Sequence, residues 1–155
     1  MGNIFHDDFR DFIQALNNQQ VEYILVGGYS VILHGYARNT GDIDIWVNPT
    51  IENYNKLVKS FQEFGMPVFD MTEQNFLYNE SIDVFTFGKP PVCIDIMKEV
   101  KGLNFESAYQ HSAIVETEGF PIRLVDYRDL IKAKRASGRA KDINDIENLS
   151  DKEKE

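Results

Sequence analysis

Residues 26–47 read V-G-G-Y-S-V-I-L-H-G-Y-A-R-N-T-G-D-I-D-I-W-V. Residues 21–26, V-E-Y-I-L-V, lead into them as a strand that is nearly all apolar at its far end, the pattern of a central strand in a sheet. That strand runs into Gly27-Gly28, and glycines at a strand-to-helix turn let backbone N–H groups approach an anion closely, with the helix start adding partial positive charge. Ser30 offers a hydroxyl to the same anion. Alone, a glycine pair after a strand is as often only a tight turn. The second strand changes the balance, because Asp42 and Asp44 are two apart and share one strand face, while Ile43, Ile45 and Val47 point to the other. Adjacent carboxylates repel unless something neutralises them; magnesium does so, taking oxygen ligands and completing its shell with substrate phosphates.

A third carboxylate is expected from a neighbouring strand, and two aspartates are candidates. Asp95 sits in V-C-I-D-I-M between Ile94 and Ile96; Asp83 sits in S-I-D-V-F, close to a strand start. A carboxylate inside an apolar strand needs a partner, since burying it unpaired costs several kcal/mol. Asp95 is therefore preferred, and Asp83 is the alternative, more easily satisfied as an exposed polar position.

Outward from this centre, Phe5, Phe9, Phe12, Ile13 and Leu16 recur at spacings of three and four, predicting an amphipathic helix over 4–19 that covers the sheet. Thr50 caps a second helix whose buried face is Ile51, Tyr54, Leu57, Val58, Phe61 and Phe64, ended by Gly65 and Pro67. Between 68 and 97 the period changes to two, predicting strands at 75–78, 82–87 and 92–97. A short helix is expected at 104–111, a hairpin turning near Glu118-Gly119, and a helix capped by Asp126 and running to Ser137-Gly138. On that helix Tyr127, Leu130, Ile131 and Lys134 form the inward stripe, so Lys134 packs its stem on the core and extends its ammonium group toward a triphosphate. Arg139 and Lys141 extend the basic character toward an acceptor, with Asp142 and Asp145 as their partners. A last helix over about 141–149 is expected to bury Ile143, Ile146 and Leu149. The expected domain spans 1–149, and S-D-K-E-K-E at 150–155 is expected to be disordered.

At 155 residues the chain is long enough for one substantial core and too short for two. The expectation is a single α/β (α+β) domain with a mixed, partly antiparallel sheet flanked by helices. No window approaches the roughly 18 apolar residues of a membrane span, and charged Asp7, Asp8 and Arg10 precede any signal-like run, so a cytoplasmic protein without membrane contact is expected. Cys93, the single cysteine, reads as a small buried hydrophobe. A net charge of −9 disfavours nonspecific nucleic-acid binding, yet leaves nucleoside triphosphates open because they arrive with divalent cations. In-line displacement between two cations rests on positioning and charge neutralisation, so His34 and His111 need no catalytic role.

The glycine pair, short helix, D-x-D and later third Asp together resemble the signature of the nucleotidyltransferase superfamily with the DNA polymerase beta-like fold. I-D-I-M-K-E-V-K-G-L-N-F-E and D-L-I-K-A-K-R-A-S-G-R-A-K-D-I-N-D-I are similar to short prokaryotic members, including minimal nucleotidyltransferases and abortive-infection toxins; the resemblance covers most of 21–149. It implies a magnesium-dependent enzyme that transfers a nucleoside monophosphate to an acceptor hydroxyl. Gly27 and Gly28 would hold the triphosphate, Asp42 and Asp44 would bind two magnesium ions, and Asp95 would hold one ion and help deprotonate the acceptor. Arg38 and Thr40 match the subgroup as phosphate contacts or loop anchors. Tyr29 departs from the family pattern by intervening before Ser30. The acceptor stays open among a small molecule, a protein and an RNA end, with a position across a homodimer interface or a partner protein as the acceptor both left open. A rival reading is a nucleotide-binding or toxin–antitoxin partner module that keeps the fold without turnover.

Overall fold

The computed structural model describes residues 5–154. In chain order the elements are α1 (Asp7–Asn18), β1 (Tyr23–Val26), α2 (Gly27–Leu33), β2 (Asp42–Val47), α3 (Ile51–Phe64), α4 (Glu73–Leu77), β3 (Val84–Lys89), β4 (Val92–Met97), α5 (Phe105–His111), β5 (Ala113–Thr117), β6 (Phe120–Leu124), α6 (Tyr127–Ser137) and α7 (Ala140–Lys154). The six strands form one mixed sheet in the order β3-β4-β2-β1-β6-β5. β1 pairs antiparallel with β2 and parallel with β6, β2 pairs parallel with β4, and the hairpins β3–β4 and β5–β6 close the two edges.

Alternation along the strands separates two cores. Tyr23, Leu25, Ile43, Ile45, Ile94 and Ile96 face the larger one, beneath Phe9, Phe12, Phe61 and Phe76 from α1, α3 and α4. Ile24, Val26 and Trp46 face the smaller one, with Phe105, Leu130 and Leu149 from α5, α6 and α7. Asp42 and Asp44 lie on the Trp46 side, and Asp95 on the Met97 side, so the carboxylates share the face covered by the C-terminal helices.

Local chemistry sets the boundaries. The Thr50 hydroxyl accepts from the Asn53 N–H, and Gly65 ends α3 at a φ of 88°, a left-handed conformation that costs glycine little. Asp126 caps α6 by accepting from the Arg128 N–H. Two expectations are corrected. The segment expected as a strand at 75–78 is largely α4, because Thr72 caps a helical turn by accepting from the Asn75 N–H and only Phe76 need be buried. α7 continues through Lys154, past the boundary expected at 149, into the run expected to be disordered; residue 155 lies outside the described residues. No helix among the described residues is long and apolar enough to cross a membrane.

Candidate active site

Strand pairing assembles the carboxylates. Asp44 is the register partner of Asp95 in the parallel β2–β4 pair and of Val26 in the antiparallel β1–β2 pair, so it stands beside both Asp95 and the start of the glycine turn. Gly27 adopts a φ of 73°, and a Cβ there would collide with the Asp44 carboxylate; a Cβ on Gly28 would collide with the Thr40 hydroxyl. The glycines are thus required by close approach of β2 and its preceding loop. The short α2 begins at Gly27, so any anion contact would come from individual N–H groups of this turn.

Asp42, Asp44 and Asp95 line one cleft of about 550 Å³ together with Gly27, Gly28, Arg38, Thr40 and Lys134. Burial raises the Asp44 carboxyl to about 7, helped by a hydrogen bond and negative charge from Asp95 and by the charge of Asp42, against a smaller opposing pull from Lys141. The Thr86 hydroxyl donates to Asp95 Oδ1 at 2.9 Å and fixes that side chain's orientation. Asp83 does not join them: it lines a separate cleft, and its carbonyl accepts from the Lys98 N–H at 2.8 Å. Among the described residues no group of three His, Cys, Asp or Glu side chains is drawn together tightly enough to hold one metal ion.

Three expected phosphate contacts have other partners. Ser30 is fully buried and donates to the Gly27 carbonyl at 2.6 Å, so its hydroxyl stabilises the turn from inside and does not face the cleft. Arg38 grips Asp145 with two hydrogen bonds, at 2.9 and 3.1 Å. Lys134 is 7% exposed, with its ammonium 3.2 Å from Asp142 and 3.0 Å from Asp145. Arg139 completes the array at 2.7 Å from Asp142. Burial pushes Asp142 upward, but hydrogen bonds from Arg139 and Lys134 outweigh it and hold the carboxyl below its ordinary range.

This alternating chain, Arg38–Asp145–Lys134–Asp142–Arg139, was only partly visible in sequence. Arg139 does pair with Asp142, as expected, but Asp145 serves Arg38 and Lys134. The buried face of α7 carries Asp142, Asp145 and Leu149, whereas Ile143 is 50% exposed. The spacing of Asp142, Asp145 and Leu149 is itself a helical stripe, the one signal that could have revealed it. Cys93 also differs from expectation: it is half-buried beside Asp42 on the cleft side, its thiol pushed up by burial and then by the charges of Asp42 and Asp95. His34 binds the Val125 carbonyl and His111 binds Asp129, both outside the cleft.

Residues 8–150 match the model of a family described as "Nucleotidyltransferase of unknown function (DUF6036)". Among curated proteins, none matches the sequence. Three solved structures share the fold at low identity. A candidate nucleotidyltransferase from Thermotoga maritima (TM1012) is 17% identical with a TM-score of 0.59, covering 97% of both chains. The lincosamide antibiotic adenylyltransferase LnuA, solved with lincomycin bound, is 17% identical with a TM-score of 0.60, covering 96% of this chain and 98% of its own. JHP933 from Helicobacter pylori is 16% identical with a TM-score of 0.52, covering 94% of this chain and 64% of its own.

Proposed function

The chain belongs to the family of nucleotidyltransferases of unknown function (DUF6036), and from that membership we propose that it transfers a nucleoside monophosphate from a magnesium-bound nucleoside triphosphate to an acceptor hydroxyl. The observation that carries the reading is the unneutralised Asp44–Asp95 pair beside the Gly27-Gly28 turn, with Asp42 on the same strand face.

The donor set is oxygen-only, which suits a hard cation, and a carboxyl raised by burial and then by its neighbours' hydrogen bond and charge is relieved when a cation replaces the proton. The three carboxylates do not close a shell by themselves, so substrate phosphates would have to complete it. Asp42, Asp44 and Asp95 would hold two magnesium ions, which supply charge neutralisation for the attacking and leaving oxygens. The backbone N–H groups of Gly27 and Gly28 contact the triphosphate, with Thr40 beside them. Arg38 and Lys134 act through field and position, since Asp145 and Asp142 already bind them. Asp95, oriented by Thr86, receives the acceptor's proton. The acceptor oxygen forms a bond to the α-phosphorus as the bond from that phosphorus to the α,β-bridging oxygen breaks, and its electron pair leaves with pyrophosphate.

Occupation of Arg38 and Lys134 by internal carboxylates is the observation that favours the second reading, a nucleotide-binding or toxin–antitoxin module of the same fold without turnover. α-Labelled triphosphates incubated with a cell lysate and magnesium separate the two. Transfer of label that disappears in Asp44→Asn and on chelation supports the enzyme; tight nucleotide binding indifferent to both would overturn it.

A further inference from the structure

A second cleft, about 1080 Å³, lies beside the carboxylates. Its floor includes Trp46 and Met97, each two residues beyond a site carboxylate on the same strand face: Trp46 beyond Asp44, Met97 beyond Asp95. Met97 and Arg139 line this cleft, the carboxylate cleft and a narrow slot of about 100 Å³, so the three cavities adjoin at these two side chains. Asn48, another lining residue, lies four residues on from Asp44, just past the end of β2, roughly 13 Å at the usual strand rise. None of Gly27, Gly28, Arg38 and Thr40 lines it, which leaves it to a substrate other than the triphosphate.

The charges around it are unequal. Asp83, Glu99 and Glu106 are exposed on its walls and enter no ion pair among the described residues. Of the cations, Lys98 donates to the Asn75 and Asn79 carbonyls at 2.9 and 3.0 Å, and Arg139 is held by Asp142. Among the described residues only Lys101 of these cations enters no ion pair or hydrogen bond. A nucleic-acid end would bring phosphates that require free cations, and this cleft offers carboxylates. We propose that this cleft is the acceptor site, and that the acceptor is a small hydroxyl compound carrying positive charge, of the amino-sugar or amino-alcohol class. Its amines pair with Asp83, Glu99 and Glu106 while one hydroxyl reaches the α-phosphorus past Met97; the bonds made and broken and the proton's destination are those given above.

This inference rests on the nucleotidyl-transfer reading, so the two are tested in separate arms. Binding of magnesium and ATP, and its sensitivity to Asp44→Asn, tests that reading alone. With the protein, magnesium and α-labelled ATP, the acceptor arm compares the glucosamine disaccharide with its N-acetylated form, which keeps the hydroxyls and loses the charge, and with an RNA oligonucleotide bearing a free 3′-hydroxyl. The glucosamine disaccharide is expected to bind the ATP-loaded protein about tenfold more tightly than the acetylated form, the worth of one or two exposed ion pairs, and to accept label. The combined D83N/E99Q/E106Q variant, and E106Q alone as a milder change, are expected to reduce that preference while leaving magnesium–ATP affinity unchanged. Intact ATP binding with equal affinity for both disaccharides, no binding of either, label on the RNA, or a loss of ATP affinity in the variants would each overturn the assignment.

Discussion

Gly27 and Asp44 are coupled at the scale of a single contact. The glycine's φ of 73° and the carboxylate packed against it leave no space for a methyl group, so Gly27→Ala must displace either the turn or the Asp44 carboxylate. Its expected cost is about 2 kcal/mol of stability, read by denaturant titration, and on the order of a hundredfold in transfer rate. Asp44 yields a pH prediction with a definite sign. Between the ordinary aspartate value of 3.8 and about 7 the folded protein retains a proton that the unfolded chain has released, so cation-free stability falls as pH rises through that window. Thermal unfolding without divalent cations is expected to show this decline, and magnesium to offset it above pH 7. Asp44→Asn removes the charge, and its cation-free form at pH 8 should exceed wild type by on the order of 1 kcal/mol, ~2–4 °C in Tm, while transfer is lost.

At the scale of elements, α6 and α7 are joined by buried charge as well as apolar contact. Asp142 and Asp145 are 0% and 1% exposed, and among the described residues Lys134 is the one cation both touch. Lys134→Met leaves each carboxylate with an arginine but withdraws the buried counter-charge, with an expected cost of about 3 kcal/mol and a Tm lower by at least ~6 °C. Lys132→Met, at an exposed position two residues earlier, should stay within about 0.5 kcal/mol and controls for generic loss of charge. The Thr72 cap can be probed in the same way: Thr72→Ala is expected to cost about 1 kcal/mol, measured by urea unfolding, because it leaves the Asn75 N–H without the acceptor that starts α4.

At the scale of the whole molecule, the sheet order places β2 and β1 at the centre and the two hairpins at the edges. All four residues of β1 are buried, whereas β5 is exposed at Ala113, Ile114 and Glu116. Native-state hydrogen exchange should accordingly be slowest in β1, β2 and β4 and faster by orders of magnitude along the outer edges of β5 and β3; uniform exchange would contradict a single cooperative core. The site gains from this arrangement, because Asp44 and Asp95 sit on paired inner strands whose register cannot slip without turning every core isoleucine outward.

The sequence by itself determined the periodic and the local: the amphipathic α1 and α3, the Thr50, Asp126 and Gly65 boundaries, the hairpin at Glu118-Gly119, and the shared face of Asp42 and Asp44. These follow from spacing and capping chemistry within a few residues of one another. Short segments were less legible, as α4 shows, because one buried Phe and a cap suit a helical turn as well as a strand. Only the tertiary structure decided that Asp95 rather than Asp83 stands opposite Asp44, that Ser30 turns inward, and that Arg38 and Lys134 spend their charge on α7. Each of those outcomes depends on which distant groups burial brings together: a polar side chain removed from water takes the partner the fold places beside it, over separations of up to 107 residues that no local pattern encodes.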